Sequence, residues 1–254
     1  MPGRYPSSPG LSPRRAGVVG WTAMDEIWDR VGATSPPLPP LWLGVTAVLA
    51  LVLVVQRDLW RVTRNAVTIA HEGAHGVAAL VTGRRLAGIR LHSDTSGVTV
   101  SRGRPTGPGM VLTAAAGYVG PGLLGLGAAA LLAAGHAIGM LWAVLALLAL
   151  LLLQIRNFYG LWSVLVTGAL VFAATWWLPA QWQAGFAHVV VWFLLLAAPR
   201  TVWELQAARR RHGSPDSDAD QLARLTGVPG LVWVGLFLLV DVGALVLAVR
   251  WLLP

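Results

Sequence analysis

The sequence predicts an all-α polytopic membrane protein with six to seven transmembrane helices and a small β-hairpin after the helix that carries a metal motif. Three observations carry the prediction. Hydrophobic residues supply 56% of the 254-residue chain and charged residues only 12%, about half the charge of an ordinary soluble domain. Mean hydropathy is +0.64. Apolar runs alternate with short links bearing Arg, Gly or Pro, the pattern of a chain that threads a bilayer repeatedly.

Taken in order, residues 1–40 are rich in Pro, Ser, Gly and Arg and lack an apolar core of signal-peptide length. They read as a disordered cytoplasmic tail ending in a stiff Pro-rich lead-in. Residues 41–254 form the membrane-embedded domain. Expected spans cover 41–55, 65–82, 109–134, 138–153, 157–178, 184–198 and 231–253. Between the second and third, residues 86–104 alternate Leu86, Ile89, Leu91, Val98 and Val100 with polar residues around Asp94-Thr95-Ser96-Gly97. That reads as a β-hairpin. It is either an ordinary surface hairpin or an edge to which an extended substrate peptide adds as a strand. The stretch from Ala115 to Gly122 is so dense in Gly, with Pro121, that it permits a broken or re-entrant helix and close packing. The polar segment 200–228 is a cytoplasmic loop.

Charge sets orientation. With a cytoplasmic N-terminus and seven crossings, only Arg57, Arg61, Arg64 and Arg250 fall outside, leaving fifteen of the 19 basic residues inside. The net charge of +8 therefore reflects orientation, not nucleic-acid binding. Every basic residue is Arg. That bias fits a GC-rich genome, and the expected location of the chain is a bacterial plasma membrane. Partners are then the lipid bilayer and a membrane protein substrate.

Within the second span the chain reads His71-Glu72-Gly73-Ala74-His75. Residues i and i+4 share a helix face, so His71 and His75 can grip one metal ion. Glu72 lies about 100° around the helix and can reach a reacting water without being a ligand. Ionisable side chains inside a membrane helix are costly and mark functional sites by default. With no cysteine in the chain, a third ligand must come from His, Asp, Glu or Asn, and Zn2+ is the ion this donor chemistry favours. Asp218 precedes a short helical pattern, where it could equally be an N-cap. Asp241 lies about 15 Å into the last span, at the depth expected of the metal. Asn157 opens a span and could line the cavity. Glu204 and Asp94 are weaker options.

The run from His71 to Ser101, the Gly-Tyr-Val-Gly-Pro segment at 117–121, Arg156-Asn157, and Ser217-Asp218-Ala219 ahead of Leu225-Thr226-Gly227-Val228-Pro229 resemble the M50B-like branch of the M50 intramembrane metallopeptidases, relatives of the site-2 proteases. The resemblance covers about residues 65–234. It implies a zinc metalloendopeptidase acting in regulated intramembrane proteolysis, cleaving membrane-spanning substrates near the cytoplasmic face, with Glu72 catalytic and His71 and His75 as metal ligands. Site-2 proteases take their third ligand from an Asn-Pro…Leu-Asp-Gly motif, which this chain lacks. The Ser-Asp-Ala element looks like a feature of the branch, which puts Asp218 first as third ligand and Asp241 second. A catalytically inactive scaffold or assembly protein of the same fold is the alternative.

Overall fold

The computed structural model describes Trp28, residues 31–212 and residues 217–253. Most of the expected 1–40 tail lies outside the described residues. Helix α1 (Pro40–Val55) begins on Pro40, whose fixed φ suits a first helical turn, and meets α2 (Arg57–Val81) at a bend of 97°. The hairpin strands β1 (Arg85–Leu91) and β2 (Gly97–Arg102) follow, then α3 (Pro108–Ala133), α4 (Ala137–Leu152), α5 (Phe158–Trp177) and α6 (Ala180–His212). A short helix α7 (Asp218–Thr226) leads into α8 (Gly230–Leu252).

Among the described residues, α3, α5, α6 and α8 are long and apolar enough to cross a membrane, and a fifth span results if α1 and α2 count as one broken span. The larger count from sequence treats α1, α2 and α4 as independent spans. Helices α1 and α4 have 16 residues each, about 24 Å of rise against a hydrocarbon core of about 30 Å. The opening turns of α2 carry Arg57, Asp58, Arg61 and Arg64. Helix α3 is also continuous through Pro121 rather than broken. The glycines there serve packing instead: Gly120 lets Ala74 of α2 approach closely, and Gly122 does the same for Asp241.

Chain direction fixes which ends lie together. Ser35 donates to the carbonyl of Gly135 at the end of α3, and Trp42 meets Trp182 edge-on at 5.5 Å. The start of α1, the end of α3 and the start of α6 therefore share one end of the bundle. The hairpin, α7 and the Arg-rich end of α6 occupy the other. The largest core cluster joins α1, α3, α4, α6 and α8 and takes in Trp60 and Val67 of α2 and Val171 of α5. Two smaller clusters lie towards the hairpin end: one joins α3, α6, α7 and α8 around Phe237, the other joins α2, β1, α4 and α5 around Ile89. Helix α2 runs between these two.

The hairpin is antiparallel, with Ile89 opposite Thr99 and Arg90 opposite Val98. Its turn is closed by His92 N–H to Ser96 O at 2.8 Å and by Asp94 Oδ1 accepting from Ser96 N at 2.9 Å. The other edge of β1 is covered. Ile89 N–H donates to Gln154 O at 2.8 Å, and Arg156 N–H donates to Ile89 O at 2.9 Å. Because Ile89 spends its backbone groups on that side, its opposite number Thr99 directs its own away from β1, leaving β2 with the free edge.

Candidate metal centre

One face of α2 carries both histidines of the motif, and their Nε2 atoms stand 3.1 Å apart. Asp218 of α7 brings Oδ2 to 3.3 Å from each. Local capping makes this possible. Ser217, not Asp218, caps α7, its hydroxyl accepting from Asp220 N at 3.3 Å, so the Asp218 side chain is free to leave the helix. Gly227 closes α7 with φ of 75°, the left-handed conformation that glycine adopts without strain.

Arg209 of α6 anchors α7 by forking onto Asp220, with Nη2 to Oδ1 at 2.6 Å and Nε to Oδ2 at 3.0 Å. These bonds outweigh burial and hold the Asp220 carboxyl below the ordinary carboxylate range. A depressed folded value gives stability that is fully present above the unfolded value, about 3.9, and is lost only as pH falls through the folded one. The anchor is thus intact across neutral pH. Arg209→Gln removes it, and metal affinity is expected to fall about 10- to 100-fold, as when a ligand loses its supporting partner. Competition with a calibrated chelator measures this.

The donor set fits zinc. Two imidazole nitrogens and one carboxylate oxygen are hard-to-borderline donors, and tetrahedral bonds of about 2.0–2.1 Å place ligand atoms about 3.3 Å apart. The observed separations are 3.1 and 3.3 Å. His75 Nδ1 donates to the Thr113 carbonyl at 2.7 Å, which leaves the Nε2 lone pair aimed at His71 and Asp218. Tyr118 meets the His71 ring edge-on at 4.8 Å and stacks on Phe237 at 5.3 Å, fixing that ring. Gly117 is required here, since a Cβ would overlap both imidazoles.

Glu72 is 4% exposed and faces the hairpin. Thr99 Oγ1 donates to Glu72 Oε2 at 2.6 Å. Gly97 packs so closely on the same carboxylate that a side chain there would overlap it. A buried acid thus sits beside the three-atom cluster, under the free-edge strand β2.

The other residues singled out in the sequence go elsewhere. Asp241 is fully buried against Gly122, with both oxygens unpartnered among the described residues. Gly122 lies five residues, about 7.5 Å, further along α3 than Gly117, so Asp241 belongs to a deeper layer than the histidine pair. Asn157 gives its side chain to β1, donating to Leu91 O at 2.6 Å and accepting from Leu91 N at 3.2 Å. Glu204 accepts from Trp60 at 2.7 Å, and Asp94 belongs to the hairpin turn. His188, a buried histidine outside that set, donates to the Ala184 carbonyl at 2.8 Å. Thr99 and Thr113 escaped the sequence reading, and Gly117 and Tyr118 entered it only within the Gly-Tyr-Val-Gly-Pro segment, without a role at the site. The alternation set Val98 and Val100 among the apolar positions of the hairpin, but they are 48% and 45% exposed, and it is Thr99 between them that turns inward to Glu72.

No curated protein and no solved structure matched the chain. The Peptidase M50B-like family does match, over residues 44–248. That span holds the histidine pair on α2, the hairpin, Asp218 and most of α8, and this chain belongs to the Peptidase M50B-like family.

Proposed function

We propose that the protein is an intramembrane zinc metallopeptidase that hydrolyses peptide bonds of membrane-spanning substrates near the cytoplasmic face. The observation that carries this reading is the convergence of His71, His75 and Asp218 within 3.3 Å beside the buried acid Glu72. His71, His75 and Asp218 would hold the ion. The chemistry zinc supplies at such a site is polarisation of the scissile carbonyl and acidification of the attacking water. Glu72 takes the proton from that water and returns it to the leaving amine. Asp218 supplies the negative charge that two neutral imidazoles lack.

Hairpin geometry supports a mode of substrate entry. Gly97, Thr99 and Ser101 alternate with the residues that bond β1, so their N–H and C=O groups are free to pair with an extended segment. Such a strand lies alongside Thr99, whose hydroxyl is already bonded to Glu72. A helix entering this site must unwind to pair there, which exposes its peptide bonds. Thr99 positions the base, and one hydrogen bond to a charged group contributes about 1.5–3 kcal/mol. Thr99→Val is expected to lower cleavage by about tenfold or more at unchanged zinc content, with Thr99→Ser restoring it. Equal cleavage by Thr99→Val and wild type rules this role out.

Orientation follows from charge. Arg84, Arg85, Arg102, Arg156 and Arg209 lie at the end that holds the hairpin and α7, which assigns that end to the cytoplasm. Helix α4 leads from Gly135, beside Ser35, back to Gln154 on the edge of β1, so it traverses the bilayer despite its length, with local thinning. With α1 and α2 as one broken span, this gives six crossings. Residues 35–39 then lie on the outer side, opposite to the cytoplasmic start that seven crossings required. Protease accessibility of a tag placed ahead of Pro36, in sealed vesicles of known orientation, tests this.

The reading as a whole is tested by elemental analysis and cleavage on purified protein. About one zinc per chain, lost in His71→Ala, and metal-dependent cleavage of a membrane-spanning substrate are expected. Absence of zinc at neutral pH sinks it.

A further inference from the structure

A second polar site lies away from the metal centre, where the first turns of α2, the hairpin turn and the C-terminal part of α6 meet. They enclose a groove of about 990 Å³. Five arginines line it: Arg57, Arg61, Arg64, Arg200 and Arg211. Only two acids do so, Asp94 and Glu204. The two acids are already committed. Asp94 Oδ1 accepts from Ser96 N and Oγ at 2.9 and 2.6 Å. Glu204 is shared by Arg64 and Arg200, each at 3.2 Å, and by Trp60. Arg200 lies over the Trp60 ring at 4.3 Å, which fixes the back wall. Arg61 has the exposed Asp58 at 3.1 Å, a pairing of little worth in water. Arg57 and Arg211 have no acidic partner among the described residues. The groove therefore carries excess positive charge on a rigid frame.

Its surroundings are those of a bilayer interface. Trp203 is 71% exposed and Val62 72% exposed, on the same two helices that supply the arginines. Tryptophans mark both ends of the bundle: Trp42, Trp177 and Trp182 at one, Trp203 and Trp233 at the other. Such belts sit at headgroup level. Guanidinium groups bond phosphate oxygens in pairs, and exposed apolar side chains beside them suit acyl chains rather than water.

We propose that this groove binds the phosphate headgroup of an anionic phospholipid, with Arg57 and Arg211 as the groups that recognise its charge. The site is distinct from the metal centre, which lies further along α2, and it also meets the hairpin, whose turn residue Thr95 accepts from Arg64 at 2.6 Å.

Delipidated full-length protein incubated with phosphatidylglycerol or phosphatidylcholine of identical acyl chains, and read by native mass spectrometry, tests the assignment. Wild type is expected to retain phosphatidylglycerol in preference to phosphatidylcholine. Each recognising arginine is expected to contribute such that Arg57→Gln/Arg211→Gln lowers phosphatidylglycerol affinity about thirty-fold. Zinc content of the same samples reads the metal centre independently and is expected not to change. Equal retention of the two lipids by wild type overturns the proposal without recourse to any variant. So does undiminished retention by a double variant that keeps its zinc. Displacement of phosphatidylglycerol by millimolar inorganic phosphate overturns it in favour of a free-phosphate site.

Discussion

Purified Asp218→Ala protein is expected to lose its zinc, whereas Asp241→Asn protein keeps it. Both acids were eligible as third ligand on sequence grounds, and the structure separates them. Asp218 Oδ2 stands 3.3 Å from both imidazole nitrogens. Asp241 packs on Gly122, a layer deeper in the bundle. Removing a ligand costs more than the 10- to 100-fold that follows loss of a supporting partner, so Asp218→Ala should weaken zinc affinity by more than about a hundredfold. Asp241→Asn replaces a buried acid whose oxygens have no partner among the described residues, and folding should tolerate it. Elemental analysis after dialysis against a weak chelator measures both. Zinc retained by Asp218→Ala and lost by Asp241→Asn would require the two roles to be exchanged.

Glu72→Gln should abolish cleavage and leave the metal in place. The substitution keeps the shape that Gly97 and Thr99 enclose, and Thr99 Oγ1, now 2.6 Å from Oε2, can still donate to the amide oxygen. What disappears is the capacity to accept a proton. General base catalysis contributes about 10²- to 10⁴-fold, so the residual rate should fall by that factor at full zinc occupancy. A variant that cleaves normally would remove Glu72 from the mechanism. One that loses zinc would make Glu72 a ligand, which its place against β2, off the three-atom cluster, argues against.

The broad fold was legible in the sequence because its signals are local. Long apolar runs can only be satisfied as helices in lipid, and the alternating apolar and polar residues of 86–104 marked two strands, although Val98 and Val100 face outward and the polar face of β2 is the one turned inward. The i, i+4 spacing of His71 and His75 fixed their common face before any packing was known. The number of crossings was less legible. Residues 40–81 contain enough apolar surface for two spans, but the 97° bend between α1 and α2 depends on what each helix packs against. The glycines of α3 likewise announced close approach without naming the neighbour.

What the sequence determined by itself is thus the membrane-embedded helical class, the histidine pair with its adjoining acid, and the hairpin. These follow from backbone hydrogen bonding in a low-dielectric solvent and from helix and strand periodicity. The tertiary structure alone decided that Asp218 rather than Asp241 meets the histidines, that Thr99 holds Glu72, and that Arg209 secures α7. Each of these joins residues from different elements, separated by up to 147 positions for His71 and Asp218. No local periodicity encodes such a meeting. It is set by how the helices pack and by where Ser217 and Gly227 start and stop a nine-residue helix.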